Sequence, residues 1–362
     1  MQKLFIFGST SLFFIFSLYS FSLLSFFYNQ NISALQFLLS FFASFFFCIL
    51  LTKNAFQEKY FLESLRIYAT FISIFIISLL TFSFFIDTSF DGQAYHLGKI
   101  LVLEKGWNPI YENNFDVKDF TSQNKPFIQS YPSSNSFLVF NIYKIFGDVE
   151  AGKGISFFLI LLSGIFLFMA MDLILKNKFL SFAFVFLAII NPVSLVQIFT
   201  FGLDTQFYSL LLILFAVSVM IYKNFFTFTN HLNFFIVAVL IINNKLTSIF
   251  YLLIFLFFWL AFLYAISQKE KNFKFFKQFF ALSFFSFFLG VFIYGYQPFV
   301  TNYIYYKSFF YPINQFNFSE NRPSNYISEN QYYLFLKSLF FKVNGEFSAP
   351  KDEAEIKLPF SF

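Results

Sequence analysis

Two carboxylates four residues apart, Asp87 and Asp91, open a polar stretch in a chain that is apolar on either side of it. From Asp87 the stretch reads Asp-Thr-Ser-Phe-Asp-Gly-Gln-Ala-Tyr-His, and it runs on through Lys99, Trp107 and Tyr111 to Tyr131. A carboxylate just past a helix end, in a loop folded back on apolar surface, loses water. Desolvation raises its pKa and makes it a better proton acceptor near neutral pH. Asp91 is placed for that role, with Asp87 either sharing the site or capping the next helix. The bland alternative makes both of them solvated loop acids, with Asp87 or Ser89 capping a helix over 91–105. His96 either donates to a phosphate and orients a ligand, or is a surface histidine on a short amphipathic helix. Trp107 and Tyr111 suit stacking on a sugar ring, and equally suit the headgroup level of a bilayer, where aromatic side chains collect.

Further along, Lys245 interrupts an apolar region. An ammonium there is costly unless it faces a polar cavity, an anion or the interface. A lipid phosphate is a natural partner; a lysine snorkelling from a short turn is the alternative. Asp204 reads either as part of the same face or as a loop acid capping the helix that follows. Asp172 with Lys176, and Glu150 with Lys153, read as local ion pairs between neighbouring helical turns and nothing more.

The elements that position these residues follow from composition. Of 362 residues, 58% are hydrophobic and 12% charged, half the charged share of about 25% in a soluble domain. With apolar runs long enough to cross a bilayer, this is a membrane-protein composition. The net charge of +5 resides in short lysine clusters between those runs. That pattern orients helices in a membrane and is not a nucleic-acid signal. Cys48 is the only cysteine, and His96 and His231 are the only histidines. An intrachain disulfide is thereby excluded, and no zinc spacing exists. Glycine-rich phosphate loops, a Walker lysine and a Gly-x-Ser-x-Gly elbow are absent from the sequence, so ATP coupling within the chain is not expected.

The runs predict an all-α polytopic membrane protein of about nine spans: 4–28, 33–52, 67–86, 154–175, 179–198, 206–222, 232–243, 246–267 and 278–296. The first lacks a small-residue cleavage site and reads as a retained helix. The run 136–147 is too short to cross and is expected to lie in or dip into the interface. The run 179–198 is expected to kink at Asn191-Pro192. This arrangement places Lys53, Lys59, Arg66, Lys176, Lys178, Lys223 and the cluster Lys269–Lys277 on the cytoplasmic face. Asp87–Asn135, Asp204, Lys245 and Tyr296–Phe362 then fall on the extracytoplasmic face. The expected organisation is a transmembrane module over 1–296, with a large first outer loop (87–153) carrying short interfacial helices between spans three and four, followed by an extracytoplasmic segment over 297–362.

Taken in order, these residues resemble the GT-C glycosyltransferases, integral-membrane enzymes that move a sugar from a polyprenyl-phosphate donor. Asp91-Gly92-Gln93-Ala94-Tyr95-His96 is similar to the acidic-to-tyrosine motif that opens their first outer loop. Gly106-Trp107-Asn108-Pro109-Ile110-Tyr111 and Tyr131-Pro132 resemble the continuation of that loop in a bacterial branch. Further patches of resemblance are Asn191-Pro192 with Gln197, Thr200 and Asp204; Asn244-Lys245-Leu246-Thr247; and Gly295 through Asn302 with Phe310-Tyr311-Pro312. Many members carry a second acid where this chain has Gly92, and a lysine where it has Ser133-Ser134. Relatives also continue with further spans.

The resemblance implies an inverting hexosyl- or pentosyl-transferase in a bacterial cytoplasmic membrane. Its partners would be a polyprenyl-phosphate sugar, membrane lipid and a glycan, lipid or protein acceptor, not nucleic acid. Asp91 would be the general base, supported by Asp87, Tyr95, His96 and Asp204. Lys245, or Lys99, would hold the donor phosphate, and Trp107, Tyr111, Tyr131 and Asn302 would contact sugar or acceptor. No cofactor is implied, and Gly92 leaves use of a divalent metal open. A transporter, flippase or polymerase of surface polysaccharide is the competing expectation.

Overall fold

A computed structural model of the chain describes residues 1–89, 91–115, 125–223 and 227–312. Contacts divide the chain after Phe310, and the helical fold is that of Met1–Phe310. Residues 116–124 of the expected outer loop, and 313–362 of the expected last segment, lie outside the described residues. Among the described residues the architecture is all helix, without a strand.

Among the described residues, six segments are long and apolar enough to cross a membrane: Gln2–Phe27, Ala34–Ser83, Glu150–Leu175, Asp204–Tyr222, Ser248–Glu270 and Lys274–Tyr294. The chain is accordingly a multi-pass membrane protein. The first segment is α1 (Gln2–Phe27). The second folds back on itself. Helices α2 (Ala34–Phe56) and α3 (Tyr60–Ser83) are separated by Gln57, which adopts a positive φ of 46°. They run antiparallel, because Ser44 bonds Tyr68 (2.9 Å) while Thr52 bonds Ser64 (2.5 Å). Ser33 and Gln36 start α2 with reciprocal caps: the Gln36 side chain accepts from Ser33 N–H at 2.7 Å, and Ser33 Oγ accepts from Leu35 N–H at 3.3 Å.

After α3 come the loop helices α4 (Leu97–Glu104) and α5 (Lys125–Ser130), then α6 (Ser134–Phe146). Helix α6 covers the run 136–147 that was expected to lie in or dip into the interface. Ser134 through Ile142 are all buried, and Asn141 donates to Ser22 of α1 at 2.7 Å. Protein encloses the helix over these nine residues, while Lys144 through Phe146 are exposed.

The remaining helices are α7 (Gly154–Leu175), α8 (Lys178–Ile189), α9 (Pro192–Gln197), α10 (Asp204–Tyr222), α11 (Thr227–Ile242), α12 (Ser248–Glu270), α13 (Lys274–Leu289) and α14 (Thr301–Tyr306). Asn177 starts α8 by accepting from the N–H groups of Phe179 and Leu180. The expected kink is a full break: α8 stops at Ile189, and Pro192 opens α9, where its missing donor costs nothing. With 12 and 16 residues, α8 and α11 are about 18 and 24 Å long, shorter than a hydrocarbon core of about 30 Å. Helix α11 is packed from Phe234 to Ile242 apart from the half-buried Phe235, and with α1, α7 and α10 it forms the core. Helices α2, α8, α12 and α13 present Phe, Leu and Ile outward, as lipid-facing helices do.

Side-chain contacts sort the helix ends into two groups. At one end Lys3 of α1 meets Glu63 of α3, and Tyr222 of α10 meets Phe262 of α12 and Phe275 of α13. At the other, the end of α1 meets Asn108 and Tyr111, the chain leaving α3 meets Glu150, and Asp204 meets Lys245. We call these the basic end and the site end.

Candidate functional site

The turn after α3 is built around Asp87. Its carboxylate is 1% exposed yet fully engaged: Oδ1 accepts from Ser89 N–H and Oδ2 from Phe201 N–H, both at 2.7 Å. The Asp87 N–H in turn donates to Glu150 Oε2 at 3.3 Å. Glu150 pairs with Lys153 at 2.5 Å, and the Lys153 ammonium also donates to the Phe85 carbonyl and lies over the Phe201 ring. A buried carboxylate is tolerated only with such partners. One polar knot thus fastens three segments: the turn at 85–93, the start of α7 and the loop at 198–203. Asp87 is therefore a positioning residue, and the sharing of a reaction site offered for it in the sequence is not what the structure displays. Glu150 and Lys153 are indeed neighbours on one helical turn, but the pair is buried, not a surface feature. Nothing in local sequence separated this pair from Asp172 and Lys176; a lysine whose side chain has no exposed surface is recognised only in three dimensions.

Gly92 belongs to the same knot. A Cβ there would sit 2.0 Å from Asp87 Oδ2 and 2.7 Å from Ser89 Oγ, so no side chain, acidic or otherwise, fits without moving the turn. Ser89 Oγ accepts from Gly92 N–H at 3.1 Å and starts the helical stretch. That stretch is a wide π turn over Gly92–His96, running into α4. It presents Asp91, Tyr95 and His96 to a narrow cleft of ≈ 30 Å³, which Tyr131, Gln197, Gly202, Leu203, Asp204 and Lys245 complete.

Asp91 lines this cleft but is exposed, so the desolvation expected of it is absent. Burial above all, then the Asp91 charge and its hydrogen bond to Tyr95, push the Tyr95 hydroxyl far above its ordinary value of 10.0. Tyr131 stands edge-on to Tyr95, with ring centres 5.8 Å apart, and is raised by burial and by Asp91. Both phenols stay protonated and can donate. On the other wall Lys245 Nζ meets Asp204 Oδ1 at 2.7 Å. Gln197 holds Asp204 from behind, donating to Oδ2 at 3.0 Å and accepting from the Asp204 N–H at 3.1 Å. His96 is 8% exposed; burial above all, then the ammonium groups of Lys99 and Lys245, lowers its pKa to about 3. It is a neutral imidazole, offering one donor and one acceptor but no charge.

Lys245 therefore stands where a ligand anion reaches it, whereas Lys99 does not. Lys99 is 3% exposed and donates to the Tyr131 carbonyl at 2.6 Å. Burial lowers its pKa to about 7, and it does not line the cleft. Trp107, Tyr111 and Asn302 are also absent from its walls. Trp107 is 4% exposed, and its indole N–H donates to the Glu112 carbonyl at 3.0 Å. Tyr111 OH donates to the Phe27 carbonyl at 2.8 Å, and Asn302 to the Ser130 carbonyl at 3.1 Å. Trp107 thus closes the loop on itself, Tyr111 ties it to the end of α1 and Asn302 ties α14 to α5; the sugar contacts expected of them have no surface at the cleft. Gln197, which the sequence offered only as part of a pattern, takes a central place by its two bonds to Asp204.

Below the cleft lies a second buried network. Gln206 donates to Asn135 Oδ1 (2.7 Å) and Ser156 Oγ (3.0 Å), and Asn244 donates to Gln206 Oε1 (3.1 Å). It ties α6, α7 and α10 to the turn that carries Lys245. No group of three or more His, Cys, Asp and Glu among the described residues forms a metal-binding cluster. A larger hollow at the basic end is lined by Tyr222, Lys223, Ser267 and Glu270, and none of the candidate site residues reaches it.

No family model, curated protein or solved structure matches the chain.

Proposed function

We propose that this chain is an integral-membrane glycosyltransferase that moves a sugar from a polyprenyl-phosphate donor to a glycan, lipid or protein acceptor. The observation that carries the reading is one cleft: Asp91 and Lys245, far apart in sequence, line it together. In the reaction the acceptor hydroxyl attacks the anomeric carbon and gives its proton to the Asp91 carboxylate. The anomeric C–O bond to phosphate breaks, and polyprenyl phosphate leaves with its charge beside the Lys245 ammonium. Attack opposite the leaving group inverts the anomeric centre. Tyr131 donates to sugar or acceptor oxygens, while Tyr95 donates to Asp91 and orients it. Exposure of Asp91 leaves its carboxylate open to an incoming hydroxyl.

The position of the cleft supports a lipid-linked donor. It lies at the first turn of α10, from which a half-exposed stripe of Phe207, Tyr208, Leu211, Leu212 and Phe215 descends. Helix α8 flanks the stripe on one side through the Tyr208–Ala188 hydrogen bond, and α12 on the other through Tyr251 and Trp259. An isoprenoid chain laid on that stripe brings its phosphate to Lys245. On this reading the nine helices α1–α3, α7, α8 and α10–α13 all cross a bacterial cytoplasmic membrane, with the site end outside. A transporter, flippase or polymerase route would place ionisable groups along a path through the bundle; the ionisable groups of the described spans lie near their ends.

The test is turnover of a panel of polyprenyl-phosphate sugars by purified protein and by Asp91→Asn. Loss of transfer with unchanged yield and melting temperature is expected. Turnover by the variant at the wild-type rate would remove Asp91 as the base.

A further inference from the structure

Two ion pairs at the site end are of opposite construction. Glu150–Lys153 is sealed, with side chains 16% and 0% exposed. Asp204–Lys245 is half open, at 44% and 36%. Breaking a sealed pair strands a charge away from water, whereas a half-open pair contributes little and its members are easily resolvated. The second pair also sits on the cleft wall, where the first does not.

Charge counting sharpens the contrast. Asp91 and Asp204 face the cleft with one cation between them, because His96 is neutral. The resting cleft is thus negative by one charge and offers a phosphate no net attraction. Lys245 becomes an anion site only if it lets go of Asp204. Asp204 is prepared for that release. Its second oxygen and its backbone N–H are held by Gln197 at 3.0 and 3.1 Å, so the carboxylate keeps its place without the lysine. It is also the first residue of the 19-residue helix α10, where the unpaired N–H groups and the helix dipole favour a negative charge.

We infer that Asp204 is an internal stand-in for a ligand phosphate: it occupies the Lys245 ammonium in the empty cleft, and a phosphate-bearing ligand takes its place. The inference rests on the glycosyltransferase reading for the identity of that ligand. Exchange moves no covalent bond; Lys245 swaps one oxyanion for another, and Asp204 stays behind on Gln197. The pair then serves specificity. A neutral polyol cannot open it, and a phosphate can.

The experiment measures binding of farnesyl phosphate to the purified full chain in detergent, with farnesol and inorganic phosphate alongside. It compares wild type, Asp204→Asn, Lys245→Met and the double variant. Asparagine keeps the size of the side chain and an acceptor oxygen. We expect Asp204→Asn to bind farnesyl phosphate about two- to fivefold more tightly, the range a half-open pair supplies. Lys245→Met should bind about tenfold more weakly, the scale of a lost charge-assisted hydrogen bond, and in that background Asp204→Asn should change nothing. Farnesol should bind all four alike. If inorganic phosphate gives the same pattern with the same affinity, the exchange holds and the ligand is a free anion, so the lipid-linked reading falls alone. Unchanged or weaker binding by Asp204→Asn would overturn the stand-in. So would an equal gain in the Lys245→Met background, since that is a general charge effect. If wild type fails to bind either phosphate, the stand-in falls together with the reading it rests on.

Discussion

The two ends of the bundle treat the same residue types in opposite ways. At the basic end Lys3 and Arg66 bracket Glu63 with side chains 59% and 68% exposed. At the site end Lys153 has no exposed side-chain surface and Asp87 is 1% exposed. The open cations stay available to anionic headgroups and to the bias that orients helices, although the acid they share is enclosed, with the Glu63 side chain 11% exposed. Buried pairs contribute geometry: once enclosed, each polar atom must find a partner, and the partners here come from segments distant in the chain. A membrane protein needs both treatments. One end is tied loosely to its surroundings, and the other is tied tightly to itself so that a cleft keeps its shape.

The largest effect should come from breaking the sealed pair. Lys153→Met leaves Glu150 buried without its cation and is expected to cost about 3–5 kcal/mol. Lys3→Met, at the open end, is expected to cost at most about 1 kcal/mol. Thermal and denaturant unfolding in detergent measure both, and equal costs would erase the distinction between the ends. Gly92→Ala comes next. Its methyl would meet Asp87 Oδ2 at 2.0 Å, so the turn must shift, at about 1–3 kcal/mol. Asp91 moves with it, so activity should fall further than stability does. A fully active Gly92→Ala variant would show that the knot does not position the acid.

The third effect is a pH dependence peculiar to the site end. His96 has a folded pKa of about 3 against an ordinary 6.5. Between those values the unfolded chain binds the extra proton, so stability falls as pH drops below 6.5 and is lost progressively toward 3. Lys99, lowered from 10.5 to about 7, adds stability as pH rises from 7 toward 10.5 by the same sign rule. Melting temperatures of wild type and His96→Gln across pH 4–7 should converge as pH falls. Parallel curves would mean that His96 titrates normally.

Much of the cleft was legible before any coordinates. Asp91, Tyr95, His96, Tyr131, Asp204 and Lys245 all stand where apolar runs stop, and all six line it. Polar residues at such boundaries have few places to go, so their shared end of the bundle follows from hydropathy alone. Their neighbours were not legible. Lys99 and Lys245 are each a lysine beside apolar residues, and only packing makes one a buried donor to a carbonyl and the other a cleft cation. Trp107 and Tyr111 have the chemistry to hold a sugar but spend it on the Glu112 and Phe27 carbonyls. The burial of Glu150 and Lys153 was not legible either, because sequence spacing records who is adjacent on a helix and not what lies over them.

What the amino-acid sequence determined by itself is the helical membrane class, a turn between the second and third apolar runs, an interruption at Asn191-Pro192, and the gathering of ionisable groups at helix ends. These are local matters of hydropathy, backbone geometry and desolvation cost. What only the tertiary structure decided is the use of each polar side chain: Asp87 as a fastener, Asp204 against Lys245, Ser134 through Ile142 of α6 enclosed by protein. Those outcomes depend on hydrogen-bond partners that distant segments bring within about 3 Å, and no local rule supplies that distance.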